Sequence, residues 1–314
     1  MTQFTFGAED IQLPKGAFAK TARRWLAHDG KRIFALTNGP FRPYLFPLFS
    51  PAGYLLSSES PADHPHHNSL WLGADHVHLM MPTSTGHHEE YTYNFYVNET
   101  FQGRAPGRQV EVACVGERIS DACFRLCQQI EWRGPPEWAA PAGRLILLES
   151  RVTEVTPGND LHRISITSSL SAAGPAVQLG PTRHALFNAR VAETMVLGAG
   201  GKLYGPRGVV MPDAITPGTA WVDFTGPVGG GARAGITMLP HPVRDQEHTW
   251  FVSDWGVMTT GAFRAVGVRL SPGQKLDTGC TYLLHDGDIP LRAVEAVAAS
   301  LPIGTFPDNK DHTP

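Results

Sequence analysis

Residues 144–171 read RLILLESRVTEVTPGNDLHRISITSSLS. Two runs rich in apolar and β-branched residues, 144–155 and 161–171, flank the turn sequence Pro157-Gly158-Asn159-Asp160. Both runs are longer than the usual strand of about 5–6 residues. The pattern therefore predicts a hairpin of two long antiparallel strands, and strands of this length favour a large β-sandwich over a small barrel.

Comparable runs predict further strands along most of the chain. They cover residues 4–6, 32–36, 91–101, 109–115, 119–132, 220–224, 234–239, 265–270 and 278–284. Turns are expected at Gly116-Glu117 and at Gly134-Pro135-Pro136, whereas the prolines at 43 and 47 argue against a central strand over 41–48. One helix is expected over residues 291–301, after the start signal Asp288-Ile289-Pro290.

The predicted fold class is all-β: a large antiparallel β-sandwich with a short C-terminal helix. The 33 glycines and 26 prolines agree with this prediction, because they favour turns over long helices. Neither an internal repeat nor a linker divides the chain. We therefore expect a single domain over residues 1–314.

Charge and hydropathy exclude several classes of partner. The net charge is −3 and no basic block is longer than Arg23-Arg24, so a nucleic-acid partner is not expected. No secretory signal is visible, and no apolar stretch reaches the roughly 18–20 residues that cross a bilayer. We expect a cytoplasmic protein with a small-molecule substrate and no membrane partner. A homo-oligomer is left open.

The strongest functional signal is the stretch 63–78, which reads DHPHHNSLWLGADHVH. It contains five of the 14 histidines of the chain within sixteen positions. Imidazole titrates near neutral pH, binds metals through a ring nitrogen and transfers protons in either direction. We interpret this stretch as the active or ligand-binding site.

One interpretation of the stretch is a divalent metal site for Fe, Mn or Zn. On a strand, His76 and His78 would share a face and present two imidazoles to one ion. His66 would complete the ligand set, and Glu89 or Glu90 could add a carboxylate.

The other interpretation is acid/base chemistry without a metal. His66 or His67 would be the general base, and Asp63 or Asp75 would orient it. Arg42 would clamp an anionic group or stabilise a developing oxyanion. Further substrate contacts are expected from Tyr44, Asn68 and Trp71, of which the indole could stack on a ring.

A second polar and aromatic cluster lies at residues 241–256 and has the composition of a loop that faces a pocket. His248 is a candidate second acid/base group, with Trp250 and Asp254 as substrate contacts. The chain has no P-loop, Gly-x-Gly-x-x-Gly, Gly-x-Ser-x-Gly or Cys-x-x-Cys motif, which disfavours nucleotide-dependent enzymes and the usual serine hydrolases.

Several motifs together resemble a family of bacterial proteins labelled PmoA-like or "methane oxygenase PmoA". They are Arg42-Pro43-Tyr44-Leu45, Ser50-Pro51-Ala52-Gly53, Asp63-His64-Pro65-His66-His67, Trp221-Val222-Asp223-Phe224-Thr225-Gly226, His241-Pro242, His248-Thr249-Trp250 and Leu284-His285-Asp286-Gly287-Asp288. The resemblance spans roughly residues 40–290. The membrane monooxygenase subunit of that name is a different protein, because this chain has no apolar span.

The resemblance implies a soluble sandwich of the galactose-mutarotase kind and a role on oxidised or modified carbohydrates. The leading hypothesis is a cytoplasmic catabolic lyase or hydrolase that uses histidine acid/base chemistry on a small polar ring substrate. The first alternative is a metal-dependent oxygenase or hydrolase with histidine ligands. The second is a carbohydrate-binding protein without catalytic activity.

Overall fold

The computed structural model describes residues 3–8, 22–243, 246–305 and 307, and in this part of the chain strands dominate. Strands are numbered in chain order. The first sheet has eight of them, in the spatial order β1 (Phe4–Ala8), β2 (Ala22–His28), β3 (Lys31–Asn38), β4 (Pro43–Leu48), β5 (Leu70–Leu72), β14 (Phe187–Arg190), β20 (Val257–Gly261) and β19 (Thr249–Val252).

The second sheet has nine strands among the described residues and contains the hairpin of residues 145–172. Its order is β16 (Gly208–Val210), β15 (Lys202–Gly205), β17 (Val222–Gly229), β18 (Ala232–Pro240), β22 (Lys275–Asp286), β12 (Leu161–Ala172), β11 (Leu145–Thr156), β10 (Cys123–Arg133) and β9 (Arg108–Ser120). All its pairs are antiparallel.

A third, smaller sheet of five strands has the order β21 (Val268–Leu270), β13 (Val177–Leu179), β6 (Val77–Pro82), β7 (His88–Asn94) and β8 (Ala105–Pro106). The helix α1 spans Leu291–Ala298, and short 3-10 turns lie at Glu193–Met195, Leu197–Ala199 and Pro212–Ala214. Within the described ranges, no helix is both long and apolar enough to cross a membrane.

The hairpin predicted from residues 144–171 is confirmed. β11 and β12 pair from Leu147 and Ala172 to Thr156 and Arg163, and the turn falls at residues 157–160. β12 also pairs with β22 and β11 with β10, so the hairpin lies inside the nine-stranded sheet. The long apolar alternation therefore builds the centre of one layer of the sandwich.

The eight-stranded and nine-stranded sheets pack face to face. The rings of Phe4 and Phe6 on β1 lie 5.4 and 5.8 Å from the ring of Phe124 on β10. Leu26 on β2 and Leu126 on β10 belong to one continuous buried cluster. The predictions of an all-β antiparallel sandwich and of a short C-terminal helix are confirmed.

The prediction that prolines exclude a central strand over residues 41–48 is wrong, because β4 runs from Pro43 to Leu48 between β3 and β5. Its pairing with β5 involves only Tyr44 and Leu45. The prolines at 43 and 47 thus fall where β5 requires no backbone N–H group.

The turn predicted at Gly116-Glu117 is also wrong, since β9 continues to Ser120. A Cβ at position 116 would lie 2.8 Å from the ring of Phe6 and 3.0 Å from that of Phe124. Gly116 therefore allows two aromatic rings to approach the strand, which is a packing role rather than a turn.

The strand predicted over residues 91–101 ends at Asn94. The Asn94 side-chain oxygen accepts the backbone N–H groups of Tyr96 and Val97 at 2.8 and 3.0 Å. This local bonding reverses the chain and directs residues 95–100 away from the sheet.

A titratable group on β12, next to the hairpin turn, makes a testable contribution to stability. The His162 ring is buried and its Nδ1 accepts the backbone N–H of Gly158 at 3.2 Å. Burial lowers the pKa of His162 from 6.5 to about 4. Because the unfolded chain binds this proton near pH 6.5 and the folded chain does not, stability must fall as the pH drops from 6.5 to 4.

We expect His162→Gln to reduce this acid sensitivity. Glutamine can accept the Gly158 N–H through its side-chain oxygen and cannot be protonated. Between pH 6 and 4.5 the slope of unfolding free energy against pH should become shallower by about 1.4 kcal/mol per unit. Urea titrations at several pH values measure this slope, and an unchanged slope would contradict the assignment.

Candidate functional site

The candidate site lies on the face of the eight-stranded sheet that points away from the main core. In β5, Leu70 and Leu72 join the core, whereas Trp71 between them joins a second cluster on the opposite face. Paired residues on five neighbouring strands line up across this face: Tyr44, Trp71, Asn188, Thr259 and Phe251. We refer to these five residues as the floor.

The floor contains polar atoms that are buried without a partner. Trp71 Nε1 and Asn188 Oδ1 form no hydrogen bond and are closed to solvent. Each such atom costs about 1–3 kcal/mol, and folded proteins retain few of them. Their position next to one another marks this face as a candidate site for binding polar groups.

The Asp-His-Pro-His-His segment covers the floor through two tight turns. His64 N–H bonds to the Pro61 carbonyl at 3.1 Å, and His67 N–H bonds to the His64 carbonyl at 2.9 Å. These turns bring three rings together, with centroid distances of 5.7 Å for His64–His66 and 4.7 Å for both His64–His67 and His66–His67.

The rings above Trp71 form a stack. His67 lies 5.0 Å from Trp71, His64 lies 4.7 Å from His67, and Trp255 lies 4.3 Å from His64 with its plane tilted by only 8°. His67 is 2% exposed and its Nδ1 has no partner. Burial lowers the pKa of His67 far below its ordinary value. His67 is therefore a neutral ring that supports His64.

His64 is held by a carboxylate and an arginine. Its Nδ1 lies 2.9 Å from Asp63 Oδ2, and Arg190 Nη2 donates to both Asp63 oxygens at 3.1 and 3.0 Å. Burial alone would raise the pKa of Asp63, but the bonds from His64 and Arg190 outweigh it and lower the pKa. The ionised carboxylate thus accepts Nδ1–H, which leaves His64 Nε2 with a lone pair.

Arg190 and His64 differ in exposure. The Arg190 side chain is 1% exposed and its guanidinium lies 4.7 Å from the Trp255 ring centroid, whereas the His64 side chain is 35% exposed. The arginine is therefore fixed within the protein, and the imidazole can be reached by a small molecule.

A second carboxylate–histidine pair lies across the floor. His184 Nδ1 is 3.0 Å from Asp75 Oδ2, and the His184 ring stacks on Tyr96 at 4.7 Å. Burial would raise the pKa of Asp75, but bonds from His184, His76 and the Thr182 hydroxyl lower it far below the ordinary value. Asp75 is therefore ionised.

His66 is influenced by both pairs. Burial, together with the charges of Arg42, His64 and His184, lowers the pKa of His66 to about 4. Its ring lies 5.6 Å from that of Tyr96. His66 is therefore neutral at pH 7 and lies where the two carboxylate–histidine pairs meet.

Arg42 lies beneath the histidine turns and is 1% exposed. It donates to the His66 carbonyl at 2.9 Å, to Asn68 Oδ1 at 3.1 Å and to Asn98 Oδ1 at 2.9 Å. Burial lowers the pKa of Arg42 to about 10, and no described carboxylate pairs with it. Arg42 thus ties two loops together and places positive charge beneath His66.

The predicted residues of the second cluster do not join the histidine turns. His248 is buried and its Nε2 lies 2.6 Å from the His241 carbonyl. Trp250 donates to the Thr219 carbonyl at 2.9 Å, and Asp254 is exposed. Arg244 and Asp245 of this cluster lie outside the described residues. The segment contributes Phe251 and Trp255 to the site instead.

The predicted metal ligands are not assembled. His76 Nδ1 lies 2.9 Å from Asp75, and His78 Nδ1 lies 2.7 Å from Glu90. The His66 ring lies edge-on to those of His64 and His67, with centroid distances of 5.7 and 4.7 Å. Of the residues that the structure describes, no three His, Cys, Asp or Glu side chains converge as a metal site would require. This donor arrangement does not fit the predicted Fe, Mn or Zn ion.

Tyr96, His184, Arg190 and Trp255 were not among the candidates predicted from the sequence. Arg190 and Asp63 are 127 positions apart, and His184 and Asp75 are 109 positions apart. One signal was present: residues 183–190 form an apolar segment with charged or titratable groups at both ends. Such ends are typical of a strand that crosses the core and ends at a polar site.

The fold and this site define an antiparallel β-sandwich protein with a histidine-rich polar site on the outer face of one sheet. The chain belongs to a family described as a family of unknown function (DUF6807), whose model matches residues 23–299. No match is found among curated proteins.

Among solved structures, the chain is similar to the galactose mutarotase related enzyme from Lactobacillus acidophilus. The TM-score is 0.36 and the sequences are 5% identical, with 90% of this chain and 97% of that chain covered.

Proposed function

We propose that this protein is an acid/base enzyme, a lyase or hydrolase, that acts on a small polar ring substrate such as a modified or oxidised sugar. The observation that carries the proposal is the bonded series Arg190–Asp63–His64. A general base needs a reachable imidazole and a group that orients it, and His64 and Asp63 supply these. Arg190 holds the carboxylate in place.

His64 acts as the general base through Nε2. It takes a proton from a substrate carbon or from an attacking water, and Asp63 stabilises the imidazolium that forms. The proton then passes from His64 to the oxygen that leaves. One imidazole thus serves as base and then as acid, and the proton count is balanced at the end of the reaction.

Negative charge that develops on the substrate is stabilised from below. The Arg42 guanidinium lies beneath His66 and has no carboxylate partner among the described residues. A buried cation acts strongly on nearby charge because little water screens it. The neutral His66 ring can donate a hydrogen bond to the same oxygen.

The sugar class is supported by two features. The site presents aromatic rings beside polar groups, with Trp255 and Phe251 at 6.4 Å between centroids. An apolar surface next to precisely oriented polar groups suits a sugar ring, which has apolar faces and a polar edge. The sequence resemblance to the PmoA-like family favours oxidised or modified sugars within this class.

The proposal is tested by incubating the protein with keto-sugars and sugar lactones and following each compound by proton NMR. We expect at least one compound to be converted by the wild type. Binding without conversion across the panel would instead favour a carbohydrate-binding protein.

A further inference from the structure

Two arginines stand at the edge of the site and take no part in the mechanism above. Arg264 Nε donates to the Thr249 hydroxyl at 3.2 Å, and its Nη1 is buried without any partner. Arg183 Nε lies 3.2 Å from His184 Nε2, and its guanidinium lies 5.5 Å from the Phe251 ring centroid.

Both guanidinium groups belong to the same face of the sheet. Thr249 and Phe251 are two positions apart on β19, so their side chains point to one side. Phe251 pairs with Thr259, which belongs to the floor. The two arginines therefore extend the floor at its β19 end, beside His184.

The positive charge at this end has no directly paired carboxylate among the described residues. Neither Arg183 nor Arg264 forms an ion pair with a carboxylate in the described ranges. The charge of Asp75 acts on Arg264, but the Asp75 oxygens are already bonded to His184, His76 and the Thr182 hydroxyl.

Arg264 is partly buried, whereas the neighbouring Arg183 is exposed. Burial and the charge of Arg183 lower the pKa of Arg264 to about 10, against opposing effects of Tyr96 and Asp75. Buried charges are normally paired, and an arginine with an unbonded Nη atom retains a donor for an oxyanion. An anionic group placed there would remove the repulsion and satisfy this donor.

We propose that Arg183 and Arg264 form a subsite for the anionic group of an acidic sugar, either a carboxylate or a phosphate. This inference rests on the proposed function for the identity of the sugar portion. The guanidinium fork binds planar carboxylates and phosphates through paired N–H donors, whereas a neutral sugar gains nothing comparable. The subsite adjoins His184. Phe251 connects it to Trp255, on which His64 stacks.

The test is isothermal titration at low ionic strength with D-glucuronate, D-glucose 6-phosphate and D-glucose. The wild type should bind one of the two acidic sugars at least about tenfold more tightly than glucose. Preference for glucuronate identifies a carboxylate ligand, and preference for the phosphate ester identifies a phosphate ligand. The absence of any preference for the acidic sugars would overturn the subsite.

Two variants test whether Arg183 and Arg264 cause the preference for acidic sugars. Arg264→Gln and Arg183→Gln should each abolish most of it, whereas Arg207→Gln, which changes an exposed arginine between β15 and β16, should retain it. A preference unchanged in both site variants would also overturn the subsite.

The binding test is independent of catalysis. If His64→Gln binds the acidic sugar as the wild type does but no sugar is converted by either protein, the subsite stands and the proposed function fails. If only neutral sugars are bound and converted, the proposed function stands and the subsite fails.

Discussion

Replacing His64 with glutamine is expected to lower the turnover of a converted sugar by roughly 10²- to 10⁴-fold, the usual contribution of a positioned general base. Glutamine approximates the size of the imidazole and can still bond to Asp63, but it cannot accept a proton at the position of Nε2. Substrate binding should change little, so kcat should fall while KM stays within a few-fold of the wild-type value. Steady-state kinetics on purified protein measure both constants.

His67→Phe is the matched control for this variant. Phenylalanine preserves the ring between Trp71 and His64. It removes only a long contact of 3.5 Å between His67 Nε2 and the Tyr96 hydroxyl, since Nδ1 has no partner. We expect turnover within a few-fold of the wild type. If His67→Phe abolished turnover while His64→Gln retained it, His67 would be the base and the present assignment would be wrong.

Replacing Glu149 with glutamine is expected to destabilise the fold by about 3–5 kcal/mol, the range for breaking a buried ion pair on one side. Glu149 is 1% exposed and accepts hydrogen bonds from Trp132 Nε1 at 2.7 Å, from Arg151 at 2.8 and 2.9 Å and from Ser168 at 2.8 Å. Glutamine leaves the Arg151 charge unpaired in the interior and turns an N–H group toward other donors.

Glu154→Gln on the same strand is the control. The Glu154 side chain is 44% exposed and pairs with Arg125 at 2.7 Å on the surface. Such pairs contribute less than about 1 kcal/mol. Urea unfolding of both variants measures the difference, and equal losses of stability would show that the Glu149 network is not the stabilising element described here.

Local pattern was sufficient to predict the central layer of the fold. The β11–β12 hairpin was predictable because two long apolar runs flank a Pro-Gly-Asn-Asp turn, and each determinant lies within a few residues. The β4 strand was not predictable in the same way. Whether a proline is tolerated depends on which neighbouring backbone groups need an N–H partner, and that depends on long-range pairing.

The candidate site was likewise predictable only where its residues are close together in the sequence. Asp63 and His64 are adjacent in sequence, and the histidine-rich motif pointed to their region. Arg190, His184 and Trp255 come from strands and loops far along the chain and reach the motif only through the sheet order β5–β14–β20. No short-range pattern specifies that order. The choice among the histidines also depended on burial, which makes His66 and His67 neutral and leaves His64 reachable.

The most direct test of the central claim is the tautomer of His64, measured by long-range ¹H–¹⁵N correlation NMR on uniformly ¹⁵N-labelled protein at pH 7.5. The Arg190–Asp63–His64 series predicts that Nδ1 carries the proton, that Nε2 is bare, and that Asp63→Asn weakens this preference. A proton on Nε2 with a bare Nδ1, unchanged in Asp63→Asn, would contradict the claim that Asp63 orients His64 as a general base.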